Sequence, residues 1–355
     1  MMKRHLQSTL TGLAALGLCL GSLMTPGTAQ SDEIRVLNWK SYGTDEAWAV
    51  KAFTEKTGHT VVHDYFNSEQ EMLTKLRTNP GAYDVVLINS AFTGQAKSEG
   101  LIQKIDTNGM ANVGDVAPNM MTNAELVPGG EVFGVPWVWG LTSFAINKGA
   151  VSEAPDSLEI FWDPSMKGKV GWRDDPLESI QFAALATGQD MNDIKDLDAV
   201  KAKLKALMPQ IRTFWSSEND WNQFMAAGDF DIATYWSGSA SRSIGKGLPV
   251  EFVIAKEGAI GWLDGLSIPA GSKNVDAAKA FIDYMIDPGF YTTWAKGGAP
   301  ASANAKAAAA LPEDAFNRTV LGDPEAVARV QFMQPVSDEK REAYLAIWQE
   351  LKAAQ

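Results

Sequence analysis

Short apolar runs alternate with amphipathic stretches through the first third of the chain. Ile34-Arg35-Val36-Leu37 predicts a buried strand after the polar Ser31-Asp32-Glu33. Asp45 to Lys56 predicts a helix, with Ala47, Trp48, Val50, Ala52 and Phe53 at helical spacing and Thr57-Gly58 as its stop. Thr60-Val61-Val62-His63 is strand-like, and Glu69 to Arg77 puts Met72, Leu73 and Leu76 on one helical face. Pro80-Gly81 then turns the chain into Tyr83-Asp84-Val85-Val86-Leu87-Ile88, a second buried strand pattern. The order β-α-β-α-β predicts an α/β fold with a parallel sheet and right-handed crossovers. Ligands of such sheets sit beyond the carboxyl ends of the strands. Those ends are Asn38-Trp39-Lys40-Ser41-Tyr42 and Asn89-Ser90-Ala91-Phe92.

Val132 to Asn147 is long and β-rich and predicts a crossing into a second lobe that holds about Gly168 to Ile260. In that lobe the pattern predicts helices over Asp198 to Met208 and around Trp221 to Ala227, and a strand over Asp231 to Trp236. Gly238-Ser239-Ala240-Ser241 reads as a turn. A strand over Val250 to Ile254 runs toward Gly261-Trp262-Leu263-Asp264. Helices follow over Val275 to Ile286, Gly289 to Lys296 and about Asp338 to Ala354.

The start of the chain is a targeting pattern. Lys3, Arg4 and His5 precede an unbroken apolar and small stretch from Leu10 to Met24, and Thr25 to Ala29 offers small residues for cleavage after Ala29. That stretch falls short of the roughly 20 residues of a membrane span. Residues 1–29 are therefore read as a signal peptide and the protein as periplasmic. Cys19, the one cysteine, lies inside this segment, so the mature chain is expected to have no disulfide and no thiolate site. The net charge of −12 lacks the basic footprint of a nucleic-acid binder or the polybasic patch of a peripheral membrane protein, and it favours cations.

Catalytic motifs are scarce. His59 and His63 share a strand face with no acid or cysteine placed to complete a metal site, and their expected place is solvated or at a sheet edge. The chain has no Gly-x-Ser-x-Gly elbow, Walker loop or His-Glu-x-x-His. A carboxylate-pair enzyme stays open. What stands out is 12 tryptophans, several of them near carboxylates at expected strand ends. Trp39 and Tyr42 follow the first strand, Trp236 precedes Ser237-Gly238, and Trp262 is followed by Asp264. With Asp174-Asp175-Pro176-Leu177-Glu178 they suggest a cleft of aromatic faces and carboxylates suited to an organic cation. The same pieces also read as plain structure: the tryptophans as core, and Asp175-Pro176-Leu177-Glu178 as a helix start with a capping box.

These segments fall in an order that resembles the periplasmic spermidine/putrescine-binding proteins of ABC importers, within the bacterial extracellular solute-binding proteins. The resemblance rests on Asn38-Trp39-Lys40-Ser41-Tyr42, Gly81-Ala82-Tyr83-Asp84-Val85-Val86, Pro136-Trp137-Val138-Trp139-Gly140 and Asp174-Asp175-Pro176-Leu177-Glu178. It continues through Trp236-Ser237-Gly238-Ser239 and Gly261-Trp262-Leu263-Asp264-Gly265-Leu266-Ser267-Ile268-Pro269. It implies a bilobal α/β periplasmic-binding-protein fold with a ligand cleft and hinge between the lobes. Residues 30–140 with about 265–303 would form lobe 1, and about 141–264 with 304–355 lobe 2. An aromatic cage of Trp39, Tyr42, Trp236 and Trp262 is implied, with Asp175, Glu178 and Asp264 as amine-binding carboxylates. Ser90 and Phe92 match the family's Ser-x-Tyr, and Gln334 a ligand-contacting glutamine. Two departures stand out: Phe92 replaces a tyrosine, and Ala299 replaces the tyrosine of a Gly-Tyr-Pro turn. The implied function is binding a polyamine and delivering it to an inner-membrane permease, as a monomer without catalysis, cofactor, metal or nucleic acid. The alternatives are another organic cation or an amino-acid derivative on the same fold, or a carboxylate-pair enzyme.

Overall fold

The computed structural model of the protein describes residues 32–354. The predicted signal segment, with Cys19, lies outside the described residues. The first elements are β1 (Glu33–Trp39), α1 (Ala47–Thr57), β2 (Thr60–Phe66), α2 (Glu69–Thr78), β3 (Val85–Asn89) and α3 (Ser90–Ser98). β1 lies between β2 and β3 and is parallel to both, as the alternating pattern requires. Gly58 ends α1 in a left-handed conformation, φ 80°, which glycine adopts without steric penalty. His59 and His63 flank and occupy β2, the edge strand, and no described group of three or more His, Cys, Asp or Glu is placed to hold a metal.

Past the short β4 (Ile102–Gln103), β5 (Val135–Asn147) leads to β6 (Val170–Arg173), α4 (Pro176–Ala186), α5 (Leu197–Leu207) and β7 (Ile211–Trp215). α6 (Glu218–Ala227), β8 (Ile232–Trp236) and α7 (Ser237–Gly245) complete a second parallel set, with β6 between β7 and β8. Next come β9 (Val250–Val253), β10 (Ala259–Pro269), α8 (Val275–Met285), α9 (Pro288–Ala295), β11 (Ala301–Ser302) and α10 (Ala305–Ala309). α11 (Phe316–Thr319), α12 (Pro324–Val327), β12 (Val330–Phe332) and α13 (Asp338–Ala353) follow. No helix among the described residues is long and apolar enough to cross a membrane.

The sheet runs β2-β1-β3-β10-β5-β8-β6-β7. Two parallel triplets are joined through β5 and β10, which are antiparallel to each other and to the triplets they meet. These two strands pass between apolar cores. Val135, Trp137 and Val138 of β5 pack with Leu263, Leu266 and Ile268 of β10 in the core that holds β1 to β3. Farther along, Phe144 and Ile146 pack with Ile260 in a core that also takes α4, α5 and α13. A third cluster surrounds Trp215, Trp221 and Tyr235. At the passage, Gly140 pairs with Trp262, and a Cβ at Gly140 would overlap the Trp262 ring and crowd Ser237 Oγ.

The strand expected over Val250 to Ile254 is β9, and the Gly261-Trp262-Leu263-Asp264 segment that it runs toward belongs to a further strand, β10, buried along its whole length. Gly261 and Gly265 are strand positions, the first closely approached by Val330 and Phe332 and the second by Leu126. One local reading is corrected: the Gly238-Ser239-Ala240-Ser241 turn is the first part of α7. Its small residues let that helix bury Ser237, Gly238, Ser239, Ala240 and Ser243, and Ser237 Oγ accepts the Leu141 N–H at 3.0 Å.

Candidate ligand-binding site

β1 ends at Trp39, whose half-buried ring meets Phe66 edge-on at 4.6 Å. The chain then turns through Ser41, the one non-glycine among the described residues with a left-handed φ, 61°. Asp45 holds that turn by accepting the Ser41 N–H at 2.8 Å. The turn delivers Tyr42 to Asp264: the phenol donates to Asp264 Oδ2 at 2.8 Å. Trp137 and Trp294, stacked at 5.4 Å, both meet the Tyr42 ring edge-on and fix it.

Asp264 lies on β10 opposite Asn89, at the end of β3. Asn89 caps α3 by accepting the Ala91 N–H, and its Nδ2 donates to Asp264 Oδ1 at 3.0 Å. Both partners of this 6% exposed carboxylate are thus neutral. Burial pushes its pKa up to about 6, against the lowering effect of the Tyr42 and Asn89 hydrogen bonds. Burial, then the neighbouring Asp264, raises Tyr42 in turn. Trp262, on the same strand, is buried with its indole N–H unpartnered.

A second carboxylate group forms where β6 enters α4. Asp175 caps α4, accepting the Glu178 N–H at 2.9 Å, with Pro176 at the first helical position. Only this half of the capping box exists. The Glu178 side chain accepts instead from Arg173 on β6, whose guanidinium also lies 4.6 Å from the centre of the Trp236 ring. Burial pushes Glu178 up to about 7; Arg173 opposes this and Asp175 adds to it. Arg173 and Glu178 line a cavity with Thr142, Trp172, Ser179, Phe182 and Thr234 that has no room for a water molecule. Trp236 is also held edge-on by Trp215 at 4.9 Å.

Ser90 and Phe92 are buried in the first turn of α3, with the Arg341 guanidinium 5.1 Å from the Phe92 ring centre. The Gln334 side chain is exposed; its backbone N–H donates to Asn192 Oδ1 at 3.0 Å. Ala299 is fully buried in the core of β1 to β3. Sequence alone does not mark Asn89, which donates to Asp264, Arg173, which donates to Glu178, or Glu69, whose Oε2 is hidden from solvent. Asn89 ends a predicted strand, Arg173 directly precedes Asp174 and Asp175, and Glu69 opens a predicted helix.

The family model for bacterial extracellular solute-binding proteins matches residues 48–319. The chain belongs to this family. The "Spermidine/putrescine-binding periplasmic protein" of Escherichia coli (strain K12) is 32% identical over 349 residues, covering 96% of this chain and 97% of that protein. The protein of the same name from Salmonella typhimurium is 31% identical over 346 residues, again covering 96% and 97%. The solved structure of a spermidine/putrescine ABC transporter substrate-binding protein from Streptococcus pneumoniae superposes with a TM-score of 0.79 at 24% identity, covering 91% of this chain and 99% of that one. The bilobal periplasmic-binding-protein fold is thereby established, and the relatives are solute-binding proteins rather than enzymes.

Proposed function

We propose that this protein is the periplasmic substrate-binding component of an ABC importer and binds a polyamine of the putrescine/spermidine class. The observation that carries the reading is Asp264: a buried carboxylate whose partners, Tyr42 and Asn89, are both neutral, on the strand that also carries Trp262. An ammonium would restore the favourable charge environment that burial removes. Micromolar binding needs about 8 kcal/mol. Hydrogen bonds to charged groups contribute roughly 1.5–3 kcal/mol each and desolvated cation–π contacts about 2 kcal/mol.

The reading has the signal segment cleaved after Ala29 and the mature protein acting as a monomer that hands its ligand, chemically unchanged, to a membrane permease. The reading takes residues 30–140 with about 265–303 as lobe 1 and about 141–264 with 304–355 as lobe 2, and the passage of β5 and β10 between apolar cores supports a division near 140 and 264. Trp39, Tyr42, Trp236 and Trp262 supply the cage, and Asp175, Glu178 and Asp264 the acids. Ser90, Phe92 and Gln334 come to the ligand when the lobes close. A second reading, an amino-acid derivative, draws on Arg173, which puts a cation among those acids.

Calorimetric titration of the mature protein, freed of carried-over ligand by unfolding and refolding, tests this with putrescine, cadaverine, spermidine and spermine. One-to-one binding of at least one amine is expected. Heat with an ω-amino acid and none with the amines would replace the first reading by the second.

A further inference from the structure

Glu69 is the first residue of α2, where an acid ordinarily faces water and complements the helix dipole. The helix is already capped, since Ser68 Oγ accepts the Glu71 N–H at 3.1 Å. The Glu69 side chain instead points inward. Its Oε2 is hidden from solvent and has no hydrogen-bond partner. Burial raises its pKa well above the ordinary carboxylate value, the charge of Asp264 raises it further, and the Asn89 backbone and Arg173 act in the opposite direction. The same acid acts on Tyr42. Both acids stand at the carboxyl end of the parallel β1–β3 set, Glu69 just past β2 and Asp264 opposite Asn89 at the end of β3, and like charges there do nothing for the fold. On the strand that carries Asp264, the Trp262 indole N–H, in a side chain 8% exposed, also lacks a partner.

We propose that Glu69 is a second ammonium-binding carboxylate, paired with Asp264, and that this pair recognises a primary ammonium end of the ligand. A primary ammonium has three N–H donors to share among Glu69, Asp264 and a third acceptor, whereas a quaternary amine has none. The other end of the cleft differs in kind. There Glu178 already holds the protein's own cation, Arg173, which lies over the Trp236 face as a ligand ammonium would. The ligand's charge is therefore read chiefly at the Glu69 and Asp264 end. This rests on the polyamine reading and extends it to a residue and a headgroup.

The test is calorimetric titration of wild type, Glu69→Gln, Glu69→Asp, Asp264→Asn and Glu71→Gln with putrescine, n-butylamine and choline. Glu71 serves as control because its carboxylate is taken up locally, accepting from the Asn67 N–H and pairing with Lys75. Glu69→Gln is expected to weaken putrescine and n-butylamine by about tenfold or more, and Glu69→Asp by less. Glu71→Gln should stay within about twofold of wild type and choline should bind least. Thermal unfolding of each ligand-free variant shows whether it is folded, and Glu69→Asp carries the test if Glu69→Gln is not. If wild type binds putrescine and Asp264→Asn does not, but both Glu69 variants equal wild type, the Glu69 assignment fails alone. If wild type binds neither putrescine nor n-butylamine, the polyamine reading fails and takes this assignment with it.

Discussion

Asp264 and Glu178 are both buried acids raised toward neutrality by desolvation, yet their surroundings differ. Tyr42 and Asn89 satisfy Asp264 without neutralising it, whereas a guanidinium sits on Glu178. A carboxylate held by neutral donors keeps its charge available to a ligand. One already paired must exchange a protein cation for a ligand cation, and gains correspondingly less from binding. Counting acids along the sequence treats the two as equivalent. Their neighbours, brought in from β1, β3 and β6, separate them.

The largest effect should come from Asp264→Asn, which keeps the shape and removes the charge. Putrescine affinity is expected to fall by about tenfold to a hundredfold in calorimetry. Wild-type affinity in a folded variant would remove Asp264 from the site. Next is pH. Asp264 near 6 and Glu178 near 7 both lose their charge as acid is added, so amine affinity should fall from pH 8 toward pH 5, by about tenfold from Asp264 alone one unit below its pKa. Stability of the ligand-free protein should move the other way. Both folded-state values lie above those of the unfolded chain, so this contribution is fully present below about pH 4 and is lost as pH rises through about 6 to 7. From these groups, then, the unfolding midpoint should rise as pH is lowered from 8 to 5, and a flat profile would contradict their burial.

The smallest effect, and the one most specific to the Glu178 end, is Arg173→Met. Releasing Glu178 opens a second place for an ammonium, so spermidine should gain on putrescine by about threefold. The ligand-free variant should also unfold at lower temperature, because a buried acid has lost its partner. An unchanged ratio of the two affinities would mean that Arg173 does not stand where a ligand ammonium could.

Periodicity and punctuation revealed β1 through β3, the length of β5 and the Asp175 cap, because each is decided by neighbours in sequence. β10 escaped because Gly261 and Gly265 are needed for close packing by residues more than 60 positions away, a demand no local pattern expresses. α7 escaped because a serine- and glycine-rich segment has weak helical propensity, and packing overrode it. At the site, Trp262 and Asp264 stood out by composition, and the family resemblance supplied their roles. Glu69 and Arg173 could not stand out, since an acid at a helix start and an arginine in a strand are ordinary until the fold hides the one from solvent and sets the other on Glu178.

β10 also has a consequence for how the protein comes to be folded. β3 pairs on one side with β1, but its other edge waits for residues 264–267 of β10. Until those residues arrive, the first sheet keeps an open edge able to pair with other chains. Contacts spanning such sequence separations also slow folding. The slow step is expected where β10 docks between β3 and β5, and a chain that waits so long for closure stays threadable in the meantime.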